Sequence, residues 1–191
     1  MARQKHYIKT YNEKDRQAYL FLNNVYHCRP SQLQVFISQN RIKSWEKEKL
    51  IEKIKTANGD YYKPGSNFYK YLEQQFAKEN YKYYSQSPDH DVMLAQKYIE
   101  LYTSLGKDNF IWKNETDLKQ EREYQLSELR DRGEWERAEM LRTAGVTDCV
   151  IQTRDTTYAY DIITSNYSQS DIQSKIEYAD SLQIQLITQR I

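Results

Sequence analysis

Asp148 and Asp161 lie thirteen residues apart, each bordering a run of β-branched and aromatic residues. Two carboxylates on neighbouring strands can hold a hard divalent cation through oxygen. Lys175, on the segment that follows, is the cation available to polarise a water beside them. A second set, Gln39, Asn40 and Arg41, suits a different chemistry: side-chain amides match the edge of adenine, and a guanidinium matches guanine. Around it Arg29, Ser31, Gln32, Lys43, Lys47, Lys53, Lys55, Asn58 and Lys63 offer donors to phosphate or base edges.

Other chemistries lack their residues. His6, His27 and His90 show no HxH or HExxH spacing, which excludes the usual zinc hydrolase arrangement. Cys28 and Cys149 form neither a CxxC pair nor a disulfide framework. No Walker loop, GxGxxG or GxSxG occurs. The 18 tyrosines raise the reading of a nucleophilic Tyr, but such enzymes pair it with a clustered His motif that this chain lacks. Tyr98 and Tyr102, at helical spacing, read as core or interface. The expectation is a chain with no cofactor, no metal and no catalytic residue, with Asp148, Asp161 and Lys175 as vestiges of a site.

Leu, Ile, Val and Phe make up only 39 of 191 residues, so the cores must be thin and helped by tyrosine. The net charge of +1 hides a division. Residues 1–86 carry 16 Lys+Arg against 8 Asp+Glu, and residues 87–191 carry 12 against 19. The halves stand at +8 and −7, which predicts a basic domain over 1–86 and an acidic one over 87–191, with the junction in 81–88. A basic domain points to a polyanion, most commonly nucleic acid. The apolar runs are too short to span a membrane, and the first residues lead into no signal-peptide core, so a cytoplasmic protein is expected.

These residues need elements to position them. Asp15 can cap a helix with Tyr19, Leu20, Leu22, Val25 and Tyr26 on its apolar face, stopped by Pro30. Leu33, Phe36 and Ile37 mark a second helix, and Ile42 and Trp45 the inner side of a third; whether 31–49 is two helices or one bent helix stays open. Asn58-Gly59 predicts the centre of a tight hairpin turn between two short strands, and Phe68, Tyr71, Leu72 and Phe76 a helix running to Lys78. In the acidic half a helix opens at Ser87-Pro88-Asp89 and ends at Gly106. A strand over 110–112, a helical stretch over 116–143 broken at Arg132-Gly133, and a strand pair at 149–151 and 158–163 follow. A helix started by Ser170 and Asp171 and a last strand near 184–187 close the chain.

The first order resembles a winged helix-turn-helix. The stretch Ile42-Lys43-Ser44-Trp45-Glu46-Lys47-Glu48-Lys49-Leu50-Ile51-Glu52 is similar to a recognition helix with its exit, and Tyr61-Tyr62-Lys63-Pro64-Gly65 to the end of a wing. Lys49 stands where that pattern has glycine. The second order resembles a PD-(D/E)xK nuclease-like core, which implies acidic groups at Asp148 and Asp161 and a lysine two residues further on, where this chain has Ile163.

Together the halves resemble the replication-relaxation family of plasmids and mobile elements. The wing motif, Asp89-His90-Asp91-Val92-Met93-Leu94-Ala95, Glu115-Thr116-Asp117-Leu118 and Thr147-Asp148-Cys149-Val150 carry the likeness. The resemblance implies an α+β protein, a winged helix before an inactive restriction-endonuclease-like domain, that binds double-stranded DNA as an accessory or regulator of replication, relaxation or conjugative transfer. Its implied protein partners are a relaxase or replication protein and a second copy of the chain. His90 reads as a packing residue at a helix start. The competing expectations are a Mg²⁺-dependent nuclease using Asp148 and Asp161, and an adaptor whose winged helix binds protein.

Overall fold

A computed structural model describes residues 7–76, 81–85 and 87–191. The N-terminal tail with His6, the helix end expected at Lys78 and Gln86 at the expected junction lie outside these. The architecture is mixed α+β: eight helices and two sheets among the described residues. No helix among them is long and apolar enough to cross a membrane. The chain divides into two compact units, 1–104 and 105–191.

The first unit opens with α1 (Glu13–Val25), α2 (Pro30–Leu33) and α3 (Gln39–Lys47), so the stretch 31–49 is two helices. The N-cap of α1 is Asn12, not Asp15: Asn12 accepts from the Asp15 amide while the Asp15 carboxylate accepts from the Asn12 amide, a capping box. Asp15 is thereby turned inward and fully buried. β1 (Ile51–Thr56) and β2 (Gly59–Pro64) pair antiparallel, with Thr56 opposite Gly59. The turn is therefore centred on Ala57-Asn58, one residue before the predicted centre. Neither central residue has a positive φ; Gly59, at +118°, supplies it just after the turn. Cys28 exchanges backbone hydrogen bonds with Tyr62 at 3.0 and 2.8 Å, which adds a third short segment to the ribbon.

The exit of α3 explains how a lysine replaces a glycine. Leu50 N–H donates to Trp45 O at 2.9 Å and Lys49 N–H to Glu46 O at 3.0 Å, the paired bonds of a Schellman end. The residue between must be left-handed, and Lys49 takes φ +57°. Gly65 closes against this end; a Cβ there would meet Lys49 O at 2.4 Å, so only glycine fits.

α4 (Phe68–Gln75) and α5 (Pro88–Leu105) complete the unit. Trp45, Tyr19, Phe21, Phe68, Leu22, Leu33 and Leu72 are fully buried in its core. Most of α5 falls in this unit and not with the acidic half. Phe21 stacks on Phe36 at 4.6 Å, and Tyr98 and Tyr102 of α5 meet those rings edge-on at 5.5 and 4.8 Å. His27 Nδ1 lies 2.7 Å from buried Asp91, and Gln32 donates to Val92 O at 2.9 Å. The unit 1–104 then carries 17 Lys+Arg against 11 Asp+Glu, or +6, and 105–191 carries 11 against 16, or −5.

The second unit comprises β3 (Phe110–Asn114), α6 (Glu115–Asp131), α7 (Trp135–Thr143), β4 (Cys149–Thr153), β5 (Thr157–Ile163), α8 (Gln169–Ser181) and β6 (Gln185–Arg190). Strand order is β3-β4-β5-β6; the first three are antiparallel in sequence, and β6 runs parallel to β5 after the α8 crossover. Gly133, at φ +74°, ends α6 near the expected break. The N-cap of α8 is Ser168, two residues before the predicted start, with Asp171 closing a capping box. Leu118, Leu126, Leu141, Val150, Ala159 and Tyr178 form the core that α6, α7 and α8 build against the sheet.

Candidate nucleic-acid interface and buried carboxylate cluster

Positions 40, 43 and 47 share one stripe of α3 by helical spacing. Gln39, Asn40, Lys43 and Lys47 are exposed, opposite buried Ile42 and Trp45. Ser38 caps the helix, accepting from Arg41 N–H at 3.3 Å. Lys47 Nζ lies 5.0 Å from the Tyr7 ring, and Gln34 donates to Gln39 at 2.6 Å.

Arg41 is not in this stripe. Its Nε and Nη2 donate to the two Asp15 oxygens at 2.7 and 2.6 Å, and Nη2 also to Thr10 O at 2.7 Å. Trp45 Nε1 adds a donor to Asp15 at 3.1 Å. With the Asn12 amide, four N–H groups converge on one fully buried carboxylate, which ties α1 to α3. Gln32 is also turned inward, accepting from Arg29 N–H at 2.8 Å and reaching Val92.

The hairpin carries the remaining basic residues. Lys53 pairs with Asp60 at 2.5 Å and Lys63 with Glu52 at 3.6 Å across the strands, while Lys55 is exposed. The Lys53 hydrogen bond holds the Asp60 carboxyl below its ordinary range. Arg29 turns to the hairpin: Nη1 donates to Asn58 O at 3.0 Å at the turn, and its guanidinium sits 4.9 Å from the Tyr61 ring. Asn58 donates to Asp89 at 2.8 Å, and Tyr61 Oη donates to the other oxygen of that carboxylate. Ser31 is exposed at the start of α2.

In the second unit Asp148, Asp161 and Lys175 come together. Asp148 N–H donates to Asp161 at 3.1 Å, Ile162 N–H donates to Asp148 at 2.7 Å, and Lys175 Nζ lies 3.1 Å from Asp161. Lys175 also donates to Val146 O. Both carboxylates are buried, and Asp161 Oδ1 has no hydrogen-bond partner. Burial, and then the Asp148 charge, push the Asp161 carboxyl up to about 6, against the pull of Lys175. Ile163 is buried in β5. No cluster of three or more His, Cys, Asp or Glu suited to a metal occurs among the described residues. One partnerless oxygen fits a cation; the other oxygens named already accept backbone amides or Lys175, and two carboxylates fall short of the usual oxygen set.

The roles of Asp15, Asp89 and Asp91 were not legible in the sequence. Asn12 with Asp15 three residues on was a visible capping signal, but nothing marks Asp89 as a partner of the hairpin tip. Compared with family models, curated protein sequences and solved structures, the chain matches none.

Proposed function

We propose that the chain is a non-catalytic DNA-binding protein whose first unit is a winged helix-turn-helix that engages duplex DNA with α3 and the β1–β2 hairpin. The observation that carries this reading is the exposed stripe Asn40, Lys43 and Lys47, on a short capped helix that leads directly into a hairpin bearing Lys53, Lys55 and Lys63. A helix of this kind presents side chains to base edges while hairpin cations meet phosphates. The +6 charge of 1–104 supplies the non-specific attraction. The role of an accessory or regulator of a mobile element, with a relaxase or replication protein as partner, belongs to the same proposal and rests on the family resemblance. Titration of a fluorescent duplex with the full chain at several salt concentrations tests it. Affinity should fall steeply with salt, and Lys43→Ala should weaken it; affinity indifferent to salt overturns the reading in favour of the protein-binding adaptor.

A second reading, a nuclease-like unit that cuts DNA, is favoured by one observation: Lys175 reaches Asp161 although Ile163 occupies the strand position expected for lysine. In that reading Asp148 and Asp161 would hold a divalent cation that supplies Lewis-acid chemistry. The commitments of both carboxylates to the β4–β5 backbone support the non-catalytic reading instead. A plasmid-nicking assay with Mg²⁺ or Mn²⁺ separates the two: no nicking is expected, and nicking abolished by Asp161→Ala would promote the second.

A further inference from the structure

Asp89 makes an unusual set of contacts for an aspartate at a helix start. A carboxylate in the first turn is favoured by the helix end alone and needs no partner from another element. This one accepts from Asn58 Nδ2 at 2.8 Å and from Tyr61 Oη, both on the hairpin, with one of its oxygens for each. Arg29 completes the group, donating to Asn58 O at 3.0 Å with its guanidinium 4.9 Å from the Tyr61 ring. The Tyr61 and Asn58 hydrogen bonds, then the Arg29 charge, hold the Asp89 carboxyl below its ordinary range. Asn58 and Asp89 are exposed and Tyr61 is buried behind them, so the cluster reaches solvent through Asn58 and Asp89.

Two neutral donors, one on each of two anionic oxygens, with a guanidinium held beside them, is a pattern that a phosphodiester also satisfies, since it presents two acceptor oxygens sharing one negative charge. We propose that Arg29, Asn58 and Tyr61 form a phosphate site at the hairpin tip which Asp89 occupies as an internal substitute, so that a DNA phosphate must displace the Asp89 carboxylate to bind there. The inference rests on the DNA-binding reading above and adds to it a brake. Displacement needs only a swing of an exposed side chain, because Asp91, two residues on, holds α5 to the unit through buried His27.

The test is duplex binding by the full-length chain, with a mixed-sequence DNA duplex as probe. Asp89→Ala should raise affinity about tenfold at low salt and steepen the salt dependence by about one counterion. Glu100→Ala removes the same charge from the exposed side of the same helix and should give a clearly smaller gain. Adding Asn58→Ala and Tyr61→Phe to Asp89→Ala should abolish the gain. Circular dichroism checks folding; should Asp89→Ala unfold, Asp89→Asn, which keeps an acceptor oxygen and drops the charge, carries the comparison. Equal gains from Asp89→Ala and Glu100→Ala, or a gain that survives the triple substitution, overturn the site. Wild-type binding with no gain in the Asp89 variants overturns it and leaves the DNA reading standing, whereas no binding by any variant overturns both.

Discussion

At Asp161 burial and a neighbouring carboxylate outweigh a lysine 3.1 Å away, and the carboxyl is held up to about 6. An unfolded aspartate titrates near 3.9, so the folded chain binds this proton more tightly. The stability it contributes is full below about pH 3.9 and is lost as pH rises through about 6. Asp161→Asn removes the titration, and from pH 4 to 7 the variant should gain roughly 2 kcal/mol on the wild type in denaturant unfolding. A difference that stays flat over that window would mean Lys175 keeps Asp161 ionised throughout. Arg41 belongs to the same kind of argument. Removing it leaves the Asp15 carboxylate buried with its charge uncompensated, so Arg41→Ala should cost about 3 kcal/mol of stability. Lys55 is exposed on the hairpin, and Lys55→Ala should leave the melting temperature unchanged while reducing the salt slope of DNA binding by about one. If Arg41→Ala melts like the wild type, the Asp15 hub does not hold α1 to α3.

Among the elements, the Lys49 exit is the place where local sequence and local backbone disagree. A left-handed lysine costs on the order of 1 kcal/mol, which glycine avoids. Lys49→Gly should therefore raise stability by about 0.5–1 kcal/mol, measured by chemical unfolding. Gly65→Ala should do the opposite and cost more, because its Cβ would meet Lys49 O and the Ile51 carbonyl carbon. Much of the element order was legible, since the signals were local. Gly59 marks the hairpin and Gly133 ends α6, whereas Pro30, expected to stop the first helix, instead opens α2, α1 having ended at Val25. The misses have a common cause in side-chain direction and distant partners. Arg41 neighbours Gln39 and Asn40 in sequence, but a hundred-degree step along α3 turns it towards Asp15. Lys175, by contrast, was legible as the cation for the two carboxylates, and the α8 crossover brings it to Asp161.

For the whole molecule, charge and contact draw different boundaries. Charge changes sign near residue 86, whereas α5 is committed to the first unit by Asp91, Val92, Tyr98 and Tyr102. A fragment 1–104 should fold cooperatively and bind duplex DNA. A fragment 1–86 should lose most of its thermal transition, because Phe21 and Phe36 lose their α5 cover and His27 its partner. Equal melting of the two fragments would make α5 dispensable. The His27–Asp91 pair, 64 residues apart in sequence, also sets a clock on biosynthesis. Translation is vectorial, at about 5–20 residues per second, so for several seconds the hairpin and the first three helices exist without their closing helix. Over that interval the Phe21–Phe36 face is open to water and Asn58 and Tyr61 have no Asp89. A pause after the hairpin has emerged from the ribosome and before α5 has done so therefore presents a sticky, unbraked form of the unit, and synonymous codons that slow elongation at that stage should increase co-translational aggregation.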